Sequence, residues 1–406
     1  MPSVVFAAPL LSENASRMIA AVASLPDVRV GVITHDPFER MDPALRERVA
    51  AHWRVDDILS PDQLAHAAEC MAPRLGSVDR LFGAYEQLQV PLAEVRERLG
   101  LPGMPADVAR NFRDKDRMKT ILARHGLPCA RHCLACDDAT AVAFADEVRF
   151  PLVLKPPAGA GALHTFQVDD VRGLGEALRV CAPASGNPVQ IEEFVAGDEH
   201  SFETVSIDGL AVWHSLTHYH PTPLDVIRNP WIQWCVVLPR EIDEPRYDDI
   251  RRAAFRALEV LGMDTGLSHM EWFRRRDGSV AISEVAARPP GAQITSIISW
   301  AHDIDFLEAW ARLMVYGTFA PPTRRYAVGA AYLRGQGGGA VQAIHGLKAA
   351  QRELGSLVVE ARLPTRGQTP TGSYEGEGYV ILRHPETAVV EQAVRRLITL
   401  VRVELG

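Results

Sequence analysis

Along the first hundred residues, short apolar runs alternate with amphipathic stretches. "SVVFAAPL" (3–10), "VRVGVITH" (28–35) and "DRLFGAYE" (79–86) read as strands, while 13–25, 61–75 and 90–99 repeat their apolar positions at helical spacing. The alternation predicts an open, parallel α/β domain over residues 1–110, closed by the Gly- and Pro-rich "GLPGMPADVARN" (100–111). Next, Asp114 stands where it can cap a helix carrying Met118, Ile121 and Leu122, and Gly126 stands where it can end that helix. Short strands and helices mix over 130–205. The stretch 201–240 is strand-rich with a hairpin turn at Asp208-Gly209, and 243–262 is an amphipathic helix. A small α+β segment fills 321–406. The predicted class is a mixture of α/β and α+β, divided at 1–110, 111–320 and 321–406.

Two local patterns suggest chemistry. "FPLVLKPPAGAGALHTF" (150–166) is a strand that ends at Lys155 and enters a loop of small residues. A cation beside an exposed backbone suits an approaching anion. In "HMEWFRRRDGSVAISEVAARPPG" (269–291), Asp277-Gly278 predicts a two-residue hairpin turn. Partners in such a hairpin have numbers summing to 555, which sets Glu271 opposite Glu284 with Cβ atoms about 5 Å apart. Like charges so placed are destabilising unless protonated or bridged. Mg²⁺ held jointly with phosphates would bridge them, with Mn²⁺ as the alternative. Arg288 and His269 fall on the same predicted face; His269 there either touches phosphate or substrate or is an ordinary strand histidine. Upstream, "VQIEEFVAGDEHSFETV" (189–205) reads as strand, tight turn at Ala196-Gly197, strand. Its edge could present backbone groups to a purine, and Glu192, Glu193 and Glu199 could accept ribose hydroxyls.

Composition narrows the partners. The 406 residues carry a net charge of −8 without long single-sign blocks, which does not suggest a nucleic-acid partner. No apolar stretch approaches the ~20 residues a membrane span needs. The first residues lack a basic leader, and six cysteines do not make a disulfide framework, so a cytoplasmic protein is expected. Of 43 basic residues only four are lysines: Lys115, Lys119, Lys155 and Lys348. In so arginine-rich a chain, a lysine is worth noting where a compact ammonium differs from a planar fork.

In order, these pieces resemble the ATP-grasp superfamily over roughly residues 1–320, and its carboxylate–amine (L-amino acid) ligases in particular. The motif lysines match Lys115 of "RDKDRMKTIL" and Lys155 of "LVLKPPAGAGALHT", and the hinge matches Glu192, Glu193, Phe194, Val195 and Glu199. The metal carboxylates match Glu271 and Glu284, with Arg288 following. The resemblance implies a pre-ATP-grasp domain, then an ATP-grasp domain with a lid over about 130–205 and an antiparallel nucleotide-binding sheet. It implies that Lys115 and Lys155 hold ATP phosphates, and that the flap 156–165, with Gly159, Gly161 and His164, closes over them. Activity would be ATP-dependent joining of a small carboxylate to an amine through an acyl phosphate. Superfamily habit suggests a homodimer. The family commonly has Asn two residues after the second metal carboxylate, where this chain has Ala286.

Glu86 stands at the carboxyl end of the third predicted strand, where it is either a substrate-amine contact or a helix N-terminal acid. "THYHPTPLDVIRNPWIQW" (217–234) reads as a loop whose His218, His220 and Trp231 either line the acceptor pocket or simply pack. Rival readings are a biotin-carboxylase-like or purine-biosynthesis-like enzyme and a non-catalytic ATP-binding protein. Cys129, Cys133 and Cys136 also have the C-x3-C-x2-C spacing of radical SAM clusters.

Overall fold

In the computed structural model, which describes residues 1–159, 165–229 and 231–406, four N-terminal strands pair in parallel. These are β1 (Ser3–Ala7), β2 (Arg29–Thr34), β3 (Ala51–Arg54) and β4 (Arg80–Phe82), in the order β3-β2-β1-β4. Every residue of β1 is buried, as suits a strand covered on both faces. Helices Glu13–Ser24 and Pro61–Leu75 begin at Ser12 and Ser60, whose hydroxyls accept the amides of Ala15 and Gln63.

Two expectations change here. β3 was not anticipated, because "AHWR" carries no periodic signal and only its pairing with β2 makes it a strand. The strand predicted to reach Glu86 stops at Phe82, and Glu86 instead opens a 3₁₀ turn, Glu86–Leu88.

A second sheet holds β5 (His132–Ala135), β6 (Leu152–Lys155), β7 (Phe166–Val168) and β8 (Val189–Glu193), in the order β5-β8-β6-β7. The predicted hairpin over 189–205 is therefore a connection between sheets. β8 lies inside this sheet rather than at its edge, and the chain then crosses into the central one.

That central sheet is antiparallel throughout. It contains β9 (Gly197–Ile207), β10 (Leu210–His220), β11 (Cys235–Leu238), β12 (Gly266–Arg275), β13 (Val280–Ala286) and β14 (Ala327–Leu333). The strands β15 (Gly335–Gln336), β16 (Val341–His345) and β19 (Arg402–Leu405) form a small sheet of their own, while β17 (Val358–Arg362) and β18 (Gly378–His384) complete the central one. The central order is β13-β12-β9-β10-β11-β14-β18-β17. The turn between β9 and β10 is the expected two-residue one, with Asp208 and Gly209 both at positive φ.

The two faces of the central sheet differ. One carries Phe202, Leu216, Met270, Trp272 and Ile282 beneath helices Lys115–Arg124 and Asp248–Leu261. Farther along that face, Cys235, Val237 and Ala331 pack under helix Thr387–Leu400. The opposite face joins Val205, Tyr219 and Leu267 to the N-terminal domain through helices Ile294–His302 and Phe306–Tyr316. No helix among the described residues is long and apolar enough to cross a membrane.

Candidate active site

Glu271 and Glu284 are direct cross-strand partners, as expected, but by another route. Arg275 N–H bonds to Ser279 O, which leaves a three-residue loop, Arg276–Gly278, with Gly278 at φ 84°. Pairs near the turn therefore sum to 554, such as Trp272 with Ile282. A bulge at Ser283 then adds one residue and restores the sum of 555 from Glu284 onward. Val280, Ile282 and Val285 pack into the core beneath the two helices. The extra residue is what turns Glu284 to the other face, beside Glu271.

Helix Lys115–Arg124 supplies the facing cations. Asp114 Oδ1 accepts the Arg117 amide at 3.0 Å, and Gly126 ends the helix at φ 69°. Met118 and Leu122 enter the core, while Lys115 and Lys119, one turn apart, point into a cavity of about 450 Å³. Lys115 Nζ donates to Glu284 Oε1 at 2.8 Å and to Gly159 O at 2.9 Å. From β6, Lys155 Nζ lies 3.0 Å from Glu192 Oε1, and Lys119 Nζ lies 3.3 Å from Glu192 Oε2.

The charges are strongly perturbed. Burial works against an ionised Glu284, yet Lys115 and Lys155 hold it at about 2. Burial also opposes ionisation of Glu192, but Lys119 and Lys155 keep its carboxyl below the ordinary range. Burial lowers Lys119, whereas Lys155 is raised because Glu192 and Glu284 outweigh its burial. Glu199, on β9, is driven well above the usual carboxyl range by burial and then by Glu271. His269 Nδ1 is 2.8 Å from Glu203 Oε1, and Nε2 is 3.8 Å from Glu271 Oε1. Against the effect of burial, these acids lift its imidazole to about 9. His269 is also the cross-strand partner of Ala286.

At the cavity's far wall, Arg288 Nη2 donates to Glu86 Oε2 at 2.9 Å, and Arg113 Nη1 donates to Glu86 Oε1 at 3.1 Å. Glu86 is buried, and its carboxylate is already committed to two guanidinium groups.

Among the described candidates, Glu86, Lys115, Lys155, Gly159, Glu192, Glu193, Phe194, Val195, Glu199, His269, Glu271, Glu284 and Arg288 line this one cavity. Gly161 and His164 lie outside the described residues. Some expected placements fail. Glu192 sits between two lysines rather than open to ribose, and the Glu193 and Phe194 amides are taken by Arg131 O and Pro151 O. The acceptor loop imagined over 217–234 is largely strand β10 and helix Pro223–Arg228; Tyr219, Pro223, Leu224 and Trp234 reach the cavity, whereas His218, His220 and Trp231 do not line it. The sulfurs of Cys129, Cys133 and Cys136 do not gather within ligand distance of one another.

Sequence reasoning missed Lys119, Arg113 and Glu203. The four-residue spacing from Lys115 signals Lys119, and period-2 alternation from Glu199 signals Glu203. Arg113 has no mark among 39 arginines.

The carboxylates fit a divalent cation on the evidence of their own placement: two acids share a face across adjacent strands, and burial and Glu271 lift a third, Glu199. The facing cations Lys115, Lys119 and Lys155 suit a triphosphate. The Lys119 ammonium is fully buried, with Glu192 Oε2 at 3.3 Å as its ion-pair partner and no well-formed hydrogen bond, so it adds positive charge to the wall.

No family model matches the chain. It is 24 % identical over 254 residues to an L-arginine-specific L-amino acid ligase of Bacillus subtilis, covering 60 % of this chain and 59 % of that protein. It is 22 % identical over 287 residues to an alanine–anticapsin ligase of the same species, covering 66 % and 60 %. The matches thus span about three-fifths of those relatives' length. Among solved structures, an L-amino acid ligase from Bacillus licheniformis superposes with a TM-score of 0.80 at 20 % identity, over 100 % of this chain and 99 % of that one. An N5-carboxyaminoimidazole ribonucleotide synthetase from Thermotoga maritima gives 0.72 at 17 % identity, over all of both chains.

Proposed function

We propose that this chain, which has the ATP-grasp fold, is an ATP-dependent ligase that joins a small carboxylate, such as an amino acid, to an amine. The observation that carries the reading is the Glu271–Glu284 pair, set by a bulge into the same cavity as Lys115, Lys155 and Arg288. Glu271 and Glu284 would hold Mg²⁺, or Mn²⁺ in its place. The ion would supply positive charge against the phosphoryl oxygens, where this reaction class needs it. The ligases named among the relatives and structural neighbours support the same reaction type.

Each protein group then has a task its geometry allows. Lys155, a flexible cation at a strand end, would pair with phosphate, and Lys115 would do so once released from Glu284. Glu199, with its carboxyl raised, would bond the nucleotide's hydroxyls in place of the committed Glu192. Arg288 is fixed by Glu86, so its guanidinium is oriented before a substrate carboxylate arrives. Glu86 therefore acts as a positioning residue, and a direct bond to the substrate amine would compete with two arginines. Phe194 and Val195, at the crossing between sheets, would flank the base. Both substrates are small molecules, and a homodimer is proposed for the assembly.

The test is a screen of amino-acid pairs for ATP-dependent phosphate and ADP release, with products identified by mass. Release that requires both an acid and an amine, with a condensed product, is the expected result. Nucleotide binding without turnover on any pair would favour a non-catalytic ATP-binding protein.

A further inference from the structure

Outside the cavity, three side chains converge on the opposite face of the central sheet. His218 and His220 lie two residues apart on β10 and so share a face. That face is covered by helix Asp248–Leu261 over one group of strands and by helix Thr387–Leu400 over the next. Glu391 projects from the second helix. One ring nitrogen of each histidine and one Glu391 carboxylate oxygen all lie within 4.8 Å of one another.

The surroundings suit ligation. His220 Nε2 is buried and has no hydrogen-bond partner. Tyr247 Oη, just before helix Asp248–Leu261, lies 3.0 Å from His218 Nε2 and orients that ring. An outer partner of this kind is common for metal-binding histidines. Burial brings His218 down to about 3 and also lowers His220, to which Arg395 adds. Both imidazoles are then neutral at pH 7, the form that binds a metal. Arg395, one turn beyond Glu391, is the nearby cation an ion would have to share the seam with.

We propose that His218, His220 and Glu391 form a binding site for a divalent transition-metal ion of the Zn²⁺ class, fastening β10 to helix Thr387–Leu400. Two nitrogen donors and one carboxylate favour Zn²⁺, Co²⁺ or Ni²⁺ over Mg²⁺ or Ca²⁺, and three protein ligands leave a position for water. Tyr219 sits between the two histidines on β10 and faces the cavity, so an ion here would also steady one wall of the active site. The site does not depend on the proposed reaction.

Metal-stripped full-length protein, kept in excess Mg²⁺, is titrated with Zn²⁺ and analysed for bound metal after desalting. Co²⁺ is substituted in parallel and read by its d–d absorption. One equivalent of Zn²⁺, a rise in melting temperature and Co²⁺ bands are expected. His220→Gln and Glu391→Gln should each weaken Zn²⁺ binding by about ten-fold or more and abolish the melting shift, with circular dichroism confirming that both variants fold. Glu284→Gln, on the other face, should leave Zn²⁺ binding intact. Absence of stoichiometric Zn²⁺ on the unmodified chain overturns the proposal. So does binding that the two seam variants do not alter, or binding lost in Glu284→Gln.

Discussion

Glu284→Gln separates the proposed metal-binding role of this side chain from its contribution to the fold. The carboxylate is four-fifths buried and lies 2.8 Å from a Lys115 ammonium that is 5 % exposed. Holding it at about 2 instead of the ordinary 4.5 is worth about 3 kcal/mol at neutral pH. Glutamine keeps the shape, and its amide oxygen still accepts from Lys115, so a loss of about 1–2 kcal/mol in stability is expected. That is well below the ~5–15 kcal/mol that holds a typical domain folded. Weakening the hold on the metal ion that would supply positive charge to the reacting phosphates should lower turnover by roughly 10²–10³. Stability from urea midpoints and ADP release across a Mg²⁺ titration, using a substrate pair found by the screen, measure the two effects apart. The depressed carboxyl adds a sign: its stability is present above pH 4.5 and is lost as pH falls toward 2, and the glutamine variant should lack that acid limb. A folded variant that releases ADP at the normal rate and normal Mg²⁺ would refute the assignment.

Two more outcomes follow from the same geometry. His269 is raised to about 9 by Glu203 and Glu271 despite its burial, so its contribution is complete below pH 6.5 and is lost as pH rises through 9; urea midpoints should fall over that range, and Glu203→Gln should flatten the fall. Deleting Ser283 removes the bulge but sets Glu284 directly after Ile282, on the opposite face and still across from Glu271, so Mg²⁺-dependent activity should survive in a variant that folds; loss of activity in a folded variant would mean that the bulge itself, and not parity alone, aims the carboxylate, and thermal melting monitors the fold.

Glu271 and Glu284 were legible as partners, yet the route to them was not. Asp277-Gly278 signals a tight turn without distinguishing a two-residue from a three-residue loop. Nothing in "VAISEVA" announces a bulge, since Ser283 is neither glycine nor otherwise unusual. The two departures have opposite sign and cancel. Lys115 and Lys155 could be found because their neighbours leave local marks, an Asp cap and a run of small residues. β3 and the interior place of β8 could not, because strand order depends on contacts distant in sequence. Whether His218 and His220 would line the cavity or simply pack stayed open for the same reason: only the packing of the helices decides which face of β10 meets the cavity.

The lysine bias has a physical reading once the cavity is described. Three of the chain's four lysines line it, and each shares a carboxylate: Lys115 with Glu284, Lys119 and Lys155 with Glu192. The arginines of the site are placed differently. Arg288 and Arg113 converge on one carboxylate, Glu86, and Arg113 also holds Gly159 O. A planar fork fixed at several points resists changing partners, whereas an ammonium on a four-carbon stem can turn from a carboxylate to a phosphate with little rearrangement. In the proposed reaction that difference assigns the parts. Glu284 would give up Lys115 to hold a metal ion, and the released lysine would be free to meet a triphosphate. Arg288 would keep its bond to Glu86, and so its orientation, throughout the exchange.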